Sequence, residues 1–239
     1  MAYLRSTGHL SDDTWPRAIL MCYQRSLYKR IVAAEGCSDG GPRRHRGLIT
    51  LPRTGDRVGI VQDIGFGAPS AAGALEEFIA LGTTHVVTLG MAGTLQAGVP
   101  TGSLVLCHRA VRDEGVSHHY LPASRYVEAS ASLTEALREE LETRAVTHTL
   151  GASWTTDALF RETAAELRRD RDEGVSCVEM EAAALFAIGQ YRSVGVTSLL
   201  LISDSLADDR WQPQWHGEDV ATALLGAYQA AISALERSC

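Results

Sequence analysis

Short apolar runs of strand length, each closed by a glycine-rich or polar break, punctuate the chain. Ala18 to Tyr23, Leu48 to Leu51, Val58 to Ile64, His85 to Leu89, Val146 to Ala152 and Val196 to Ile202 read as strands, rich in β-branched residues and leucine. Val99 to Val111 reads as a further strand unit, and Pro52 to Asp56 as the turn that joins the second run to the third. Between these runs the period changes to that of helices. Pro69 opens a helix to about Leu81, Leu133 to Ala145 is amphipathic, Ala164 to Asp172 is charged, and Gly217 to Leu235 carries an apolar stripe. Ala182 to Ile188 has no polar face at all, so this helix is expected to lie buried between other elements. Gly36 to Gly41 and Trp154 to Thr163 read as loops. Strands alternating with helices predict a three-layer α/β/α sandwich around a central mixed sheet, with residues 1–239 forming one domain.

Composition narrows the partners. At 239 residues and 45% apolar content the chain can bury a full core. Its net charge of −7 argues against a nucleic acid or an anionic membrane surface, both of which are polyanions. The one basic cluster, Arg43 to Arg46, follows a glycine turn and reads by default as a solvated loop. Cys22, Cys37, Cys107, Cys177 and Cys239 are scattered and odd in number, which fits buried thiols in a reducing cytoplasm. No signal segment and no run of membrane-spanning length is visible, so a soluble intracellular protein is expected. His118 and His119 are adjacent and point apart, and no helix carries a metal-binding histidine pair. No metal and no cofactor is expected.

The candidate chemistry lies in Ser176 to Ser205. Glu179, Glu181 and Asp204 flank a helix-then-strand unit otherwise too apolar for the surface. Carboxylates at the rim of a core need partners, protons or a ligand. Glu179 and Glu181 reach one site only if the helix begins near Glu181; otherwise they are helix N-terminal acids favoured by the macrodipole. Asp204 ends a buried strand, where α/β sheets bind ligands, or else it caps the following turn. Gly65 and Gly67 precede a helix start and leave N–H groups for an anion or a sugar hydroxyl, unless they serve close packing. Gly90, Gly93 and Gly98 likewise let backbone approach a ligand.

Several of these segments together resemble one family. Val178-Glu-Met-Glu-Ala-Ala-Ala-Leu185 with the strand ending in Ser203-Asp204, Gly65-Phe-Gly-Ala-Pro-Ser-Ala-Ala72, Leu89-Gly-Met-Ala-Gly-Thr-Leu-Gln96 and Ala110-Val-Arg-Asp-Glu-Gly-Val-Ser117 are similar to the purine nucleoside and uridine phosphorylases, a family that includes methylthioadenosine nucleosidases. The matches run in the family's order from about Gly47 to Asp204. The resemblance implies cleavage of a nucleoside at its N-glycosidic bond. It implies Asp204 as the acid that protonates the departing base, and Glu181 as the grip on the ribose hydroxyls, with Met180 against the sugar and Glu179 beside it. Phe160, one position from the family's usual aromatic, is the candidate to stack on the base, and Ala92 and Gly93 line the substrate. Arg210 is placed to tune Asp204 or touch the base, or is an exposed loop arginine. Arg46, Gly67 and Met91 fall at phosphate-site positions, and His9 and Arg46 match side chains lent by a neighbouring subunit, which implies a homodimer or a trimer of dimers.

The acceptor loop departs from the family pattern. Tyr23 stands at a glycine, Leu27 and Thr88 at two arginines and Met91 at a serine or threonine, while Arg25 lies two places from one of those arginines. Losing bidentate arginine contacts weakens phosphate binding. A phosphorylase using inorganic phosphate is expected on family grounds. A nucleosidase in which Tyr23, Leu27 and Met91 fill the vacated space, and a nucleoside-binding protein without turnover, are the alternatives. A purine is the preferred base, with Arg161-Glu162 leaving room for a pyrimidine.

Overall fold

A computed structural model of the protein describes residues 15–37, 45–208, 211–213 and 218–239. The expectations that rest on His9 and Arg210 lie outside the described residues.

Among the described residues, ten strands form one sheet. They are β1 (Ala18–Cys22), β2 (Ile49–Thr50), β3 (Val58–Val61), β4 (His85–Thr94), β5 (Leu104–Asp113), β6 (Tyr126–Glu128), β7 (His148–Thr156), β8 (Cys177–Glu179), β9 (Gly195–Ser205) and β10 (Gln212–Pro213). The α-helices among the described residues are α1 (Arg25–Ala34), α2 (Ala68–Ala80), α3 (Ala131–Thr143), α4 (Ala164–Asp172), α5 (Ala182–Arg192) and α6 (Glu218–Ser238). The sheet is mixed: β1 pairs parallel with β3 and β4, β4 parallel with β9, and β9 antiparallel with β5. From β5 the pairing continues through β7 and β8 and returns antiparallel to β4. Five strands, β4, β9, β5, β7 and β8, therefore close into a ring, from which β1, β3 and β2 extend as a wing. Register shifts at Ala92/Gly93 in β4 and at Cys107/Arg109 in β5 supply the extra local twist that such closure needs.

Two apolar layers sandwich the sheet. On one side α2 and α5 pack together, contributing Leu75, Phe78, Leu185 and Phe186. On the other, α1, α3 and α6 contribute Leu27, Ile31, Leu137, Tyr228 and Ile232. As its sequence predicts, α5 is buried from Ala182 to Gly189.

Three local differences from the pattern matter. Trp154-Thr-Thr belongs to β7 and is buried, with the Trp154 indole donating to Asp113 at 2.9 Å, because polar residues in a sheet core are tolerated when their hydrogen bonds are met. Cys177 to Glu179 is a short strand, too brief for an alternation signal. Arg25 to Ala34 forms a helix whose buried Leu27, Tyr28 and Ile31 share one face, so Leu27 sits in the α1/α6 layer and not at a ligand site.

Candidate active site

The end of β8 and the start of α5 are held by one carboxylate. Glu179 accepts hydrogen bonds from the backbone N–H of Glu181 at 2.8 Å and of Ala182 at 2.7 Å, the orphan amides of the first helical turn. Two hydroxyls from β7 also donate to it, Thr155 at 2.5 Å and Ser153 at 3.1 Å. Thr155 in turn accepts from the N–H of Ala183 at 2.9 Å. Burial pushes the Glu179 carboxyl up, while these donors pull it back. With four donors engaged, Glu179 is the anchor that fixes where Met180 and Glu181 project.

Glu181 is the N-cap of α5, so the chain is still non-helical at this residue, the condition under which both glutamates serve one centre. Its carboxylate accepts from the N–H of Gly67 at 2.8 Å, at the start of α2. Gly67 has φ of +80°, and Gly65 has φ of +88°, with the Ser70 hydroxyl 1.8 Å from where a Cβ on Gly65 would be. Only glycines make this turn, and the amide it frees meets the protein's own carboxylate. Burial, then the neighbouring charge of Glu179, raises the Glu181 carboxyl to about 7. Met180 packs its methyl 3.9 Å from the position of a Gly67 Cβ.

The Tyr23 hydroxyl belongs to the same centre. It is fully buried, has no hydrogen-bond partner among the described residues, and feels the charges of Glu181 and Glu179. Its ring lies over Gly90, 3.5 Å from a Cβ built there. Burial, then those two carboxylates, raises the phenol well above its usual value, so it stays a neutral O–H donor.

Asp204 ends β9 beside Gly93, its register partner across the bulge. A Cβ on Gly93 would stand 3.0 Å from an Asp204 oxygen and 3.5 Å from Val178 of β8, so glycine is what lets the carboxylate lie over β4. Gly93 also pairs with Val178, which sets Asp204 and the Glu179–Glu181 turn on either side of one strand end. Ser203 donates to one Asp204 oxygen at 2.5 Å and Trp211 to the other at 3.0 Å. Across from it, burial and then the charge of Asp204 push the Glu162 carboxyl up to about 7.

Trp211 is the residue that sequence reasoning passed over, and Glu162, considered there only with Arg161 as room for a pyrimidine, gains a place in the field of Asp204. Neither lies in a motif, and each is identified only by its proximity to Asp204. A cleft of about 520 Å³ is lined by Phe66, Gly67, Pro69, Met180 and the turn from Asp157 to Arg161. Phe160 is 98% exposed at its mouth and Phe66 71% exposed.

The remaining candidates are more dispersed. Ala92 is buried and Met91 half-buried on β4, near the strand end. Thr88 donates to Ser198 at 2.6 Å and so ties β4 to β9. Arg46 forms a bidentate pair with Glu77 of α2, at 2.6 and 2.9 Å, in a left-handed turn with φ of +52°. No group of residues with metal-ligand geometry occurs among those described. No described helix is long and apolar enough to cross a membrane, and Cys22, Cys37, Cys107, Cys177 and Cys239 are all free thiols.

Residues 33–234 match the model of the phosphorylase superfamily. The uridine phosphorylase of Treponema pallidum is 31% identical over 153 residues, 59% of this chain and 59% of the relative. A DeoD-type purine nucleoside phosphorylase of Bacillus cytotoxicus is 26% identical over 67% of this chain and 70% of its own length. The alignments to the uridine phosphorylases of Treponema pallidum and Thermococcus kodakarensis span 59% and 51% of those proteins' lengths. A crystal structure of uridine phosphorylase from Vibrio fischeri superposes with a TM-score of 0.73 at 26% identity, covering 99% of both chains.

Proposed function

The chain belongs to the phosphorylase superfamily, and from that premise we propose that it cleaves the N-glycosidic bond of a nucleoside, passing the ribose to inorganic phosphate. The observation that carries this reading is the pair of carboxyl groups on either side of β4: Glu181, held by the Gly67 amide, and Asp204, lying over Gly93. As the C1′–N bond breaks, positive charge grows on the ribose and the bonding pair moves to the base. Glu181 accepts from the ribose hydroxyls and stabilises the sugar cation. An acid delivers a proton to the ring nitrogen, making the base a neutral leaving group. Asp204 is the assigned donor. Met180 packs on the sugar, and Phe160 with the turn at Asp157 to Arg161 borders the base, for which a purine is preferred.

Phosphate attack forms the new C1′–O bond, giving ribose 1-phosphate. Met91 and Gly67 border that subsite, and assembly as a homodimer or trimer of dimers would bring in Arg46 and His9 from a neighbouring chain. Free thiols suit a reducing cytoplasm. Hydrolysis is the second reading, favoured by Tyr23 and Met91 at positions where phosphate-binding groups are usual.

The test is incubation with a panel of purine and pyrimidine nucleosides, with and without phosphate. Ribose 1-phosphate formed only with phosphate supports phosphorolysis. Free ribose independent of phosphate selects hydrolysis, and intact nucleosides in both arms overturn glycosidic cleavage.

A further inference from the structure

Among the buried polar groups, the Tyr23 hydroxyl lies in the field of Glu181 and Glu179, the carboxylates of the candidate sugar-binding centre. Its hydroxyl is fully enclosed and lacks a partner among the described residues, a state that costs free energy unless a ligand or water completes it. Nothing in the fold requires that hydroxyl: phenylalanine would fill the same space over Gly90. The neighbouring Glu179 is already saturated by four donors, leaving Glu181 as the acceptor on the far side.

The charges around the hydroxyl restrict what can complete it. Two carboxylates act on this point, so an anion would be repelled. A cation would find its counter-charge in Glu181 and an acceptor in the Tyr23 oxygen, but it would leave the Tyr23 proton without a partner. A neutral hydroxyl satisfies both groups, accepting from Tyr23 and donating to Glu181.

We propose that Tyr23 donates a hydrogen bond to one of the vicinal ribose hydroxyls gripped by Glu181, and thereby selects ribonucleosides over their deoxy counterparts. This rests on the sugar-binding role given to Glu181 above. Without the substrate hydroxyl, the Tyr23 O–H is left unpaired and the Glu181 carboxylate keeps only the Gly67 amide, and a deoxynucleoside is rejected for that reason. Tyr23 acts on specificity and takes no part in proton transfer to the base.

The experiment compares wild type with Tyr23→Phe on a ribonucleoside and its 2′-deoxy and 3′-deoxy analogues, measuring kcat/KM where turnover occurs and calorimetric affinity in every case. The expected result is a loss of roughly tenfold for the ribonucleoside and little change for one of the deoxy analogues, so that the discrimination collapses. The variant should melt at the same or a higher temperature, since an unpaired buried hydroxyl is removed. If the wild type prefers ribosides and Tyr23→Phe keeps the full preference, the proposal fails while glycosidic cleavage stands. Equal handling of the three sugars by the wild type also overturns it. A wild-type protein that neither binds nor cleaves any nucleoside overturns the proposed function, and this assignment with it.

Discussion

The two ends of the candidate site are built differently. At the proposed sugar end, Glu179, Glu181 and Gly67 are drawn from three elements and locked by backbone amides and by β7 hydroxyls within the sheet core. At the base end, Asp204 meets a 60% exposed Trp211, and the cleft wall is a turn whose Phe160 projects into solvent. Over-determined geometry suits a task that does not vary, such as gripping ribose. Loop-borne groups suit a task that changes between relatives, such as choosing a base.

The sharpest way to break this contrast is Glu179→Ala. It leaves buried amides and hydroxyls without their acceptor, so the expected cost is about 3 kcal/mol or more, with loss of activity because Glu181 is no longer positioned. Thermal denaturation checks it; a melting temperature close to wild type would show that the sugar end is not over-determined.

Asp204→Asn should act on chemistry more than on folding. Its carboxylate is half-buried and has a partly exposed indole as one partner, so little stability is at stake. Turnover should fall roughly 10²–10⁴-fold with little change in substrate affinity. Steady-state kinetics decide it, and an unchanged kcat removes Asp204 from the proton path.

Glu162→Gln is the mildest and concerns pH. The folded-state carboxyl, raised to about 7, holds its proton more tightly than in the unfolded chain. Its stabilising contribution is therefore present below the ordinary carboxyl value and is lost as pH rises toward 7. Glutamine cannot titrate, so the fall in melting temperature between acidic and neutral pH should be smaller in the variant, with Glu181 supplying the slope that remains. A variant whose melting temperature declines as steeply as wild type would place Glu162 outside the field of Asp204.

Much of this was legible in the chain. The buried helix at Ala182 to Ile188, the glycine turn at Gly65 to Gly67 and the acidic trio are local signals, because helix burial, positive φ and carboxylates in apolar surroundings each follow from neighbouring residues alone. The alternation of strand and helix likewise determined the three layers, since each element can hide its apolar face only against another. What the tertiary structure decided was closure and meeting. A pair of bulges turns the sheet into a ring, and Gly93 ends up beneath Asp204 and next to β8. Tyr23 comes into the field of Glu181 across 158 positions of chain, and Glu162 comes to share the field of Asp204. Strand register and the balance of charges across a cleft depend on residues far apart in sequence, so no local pattern encodes them.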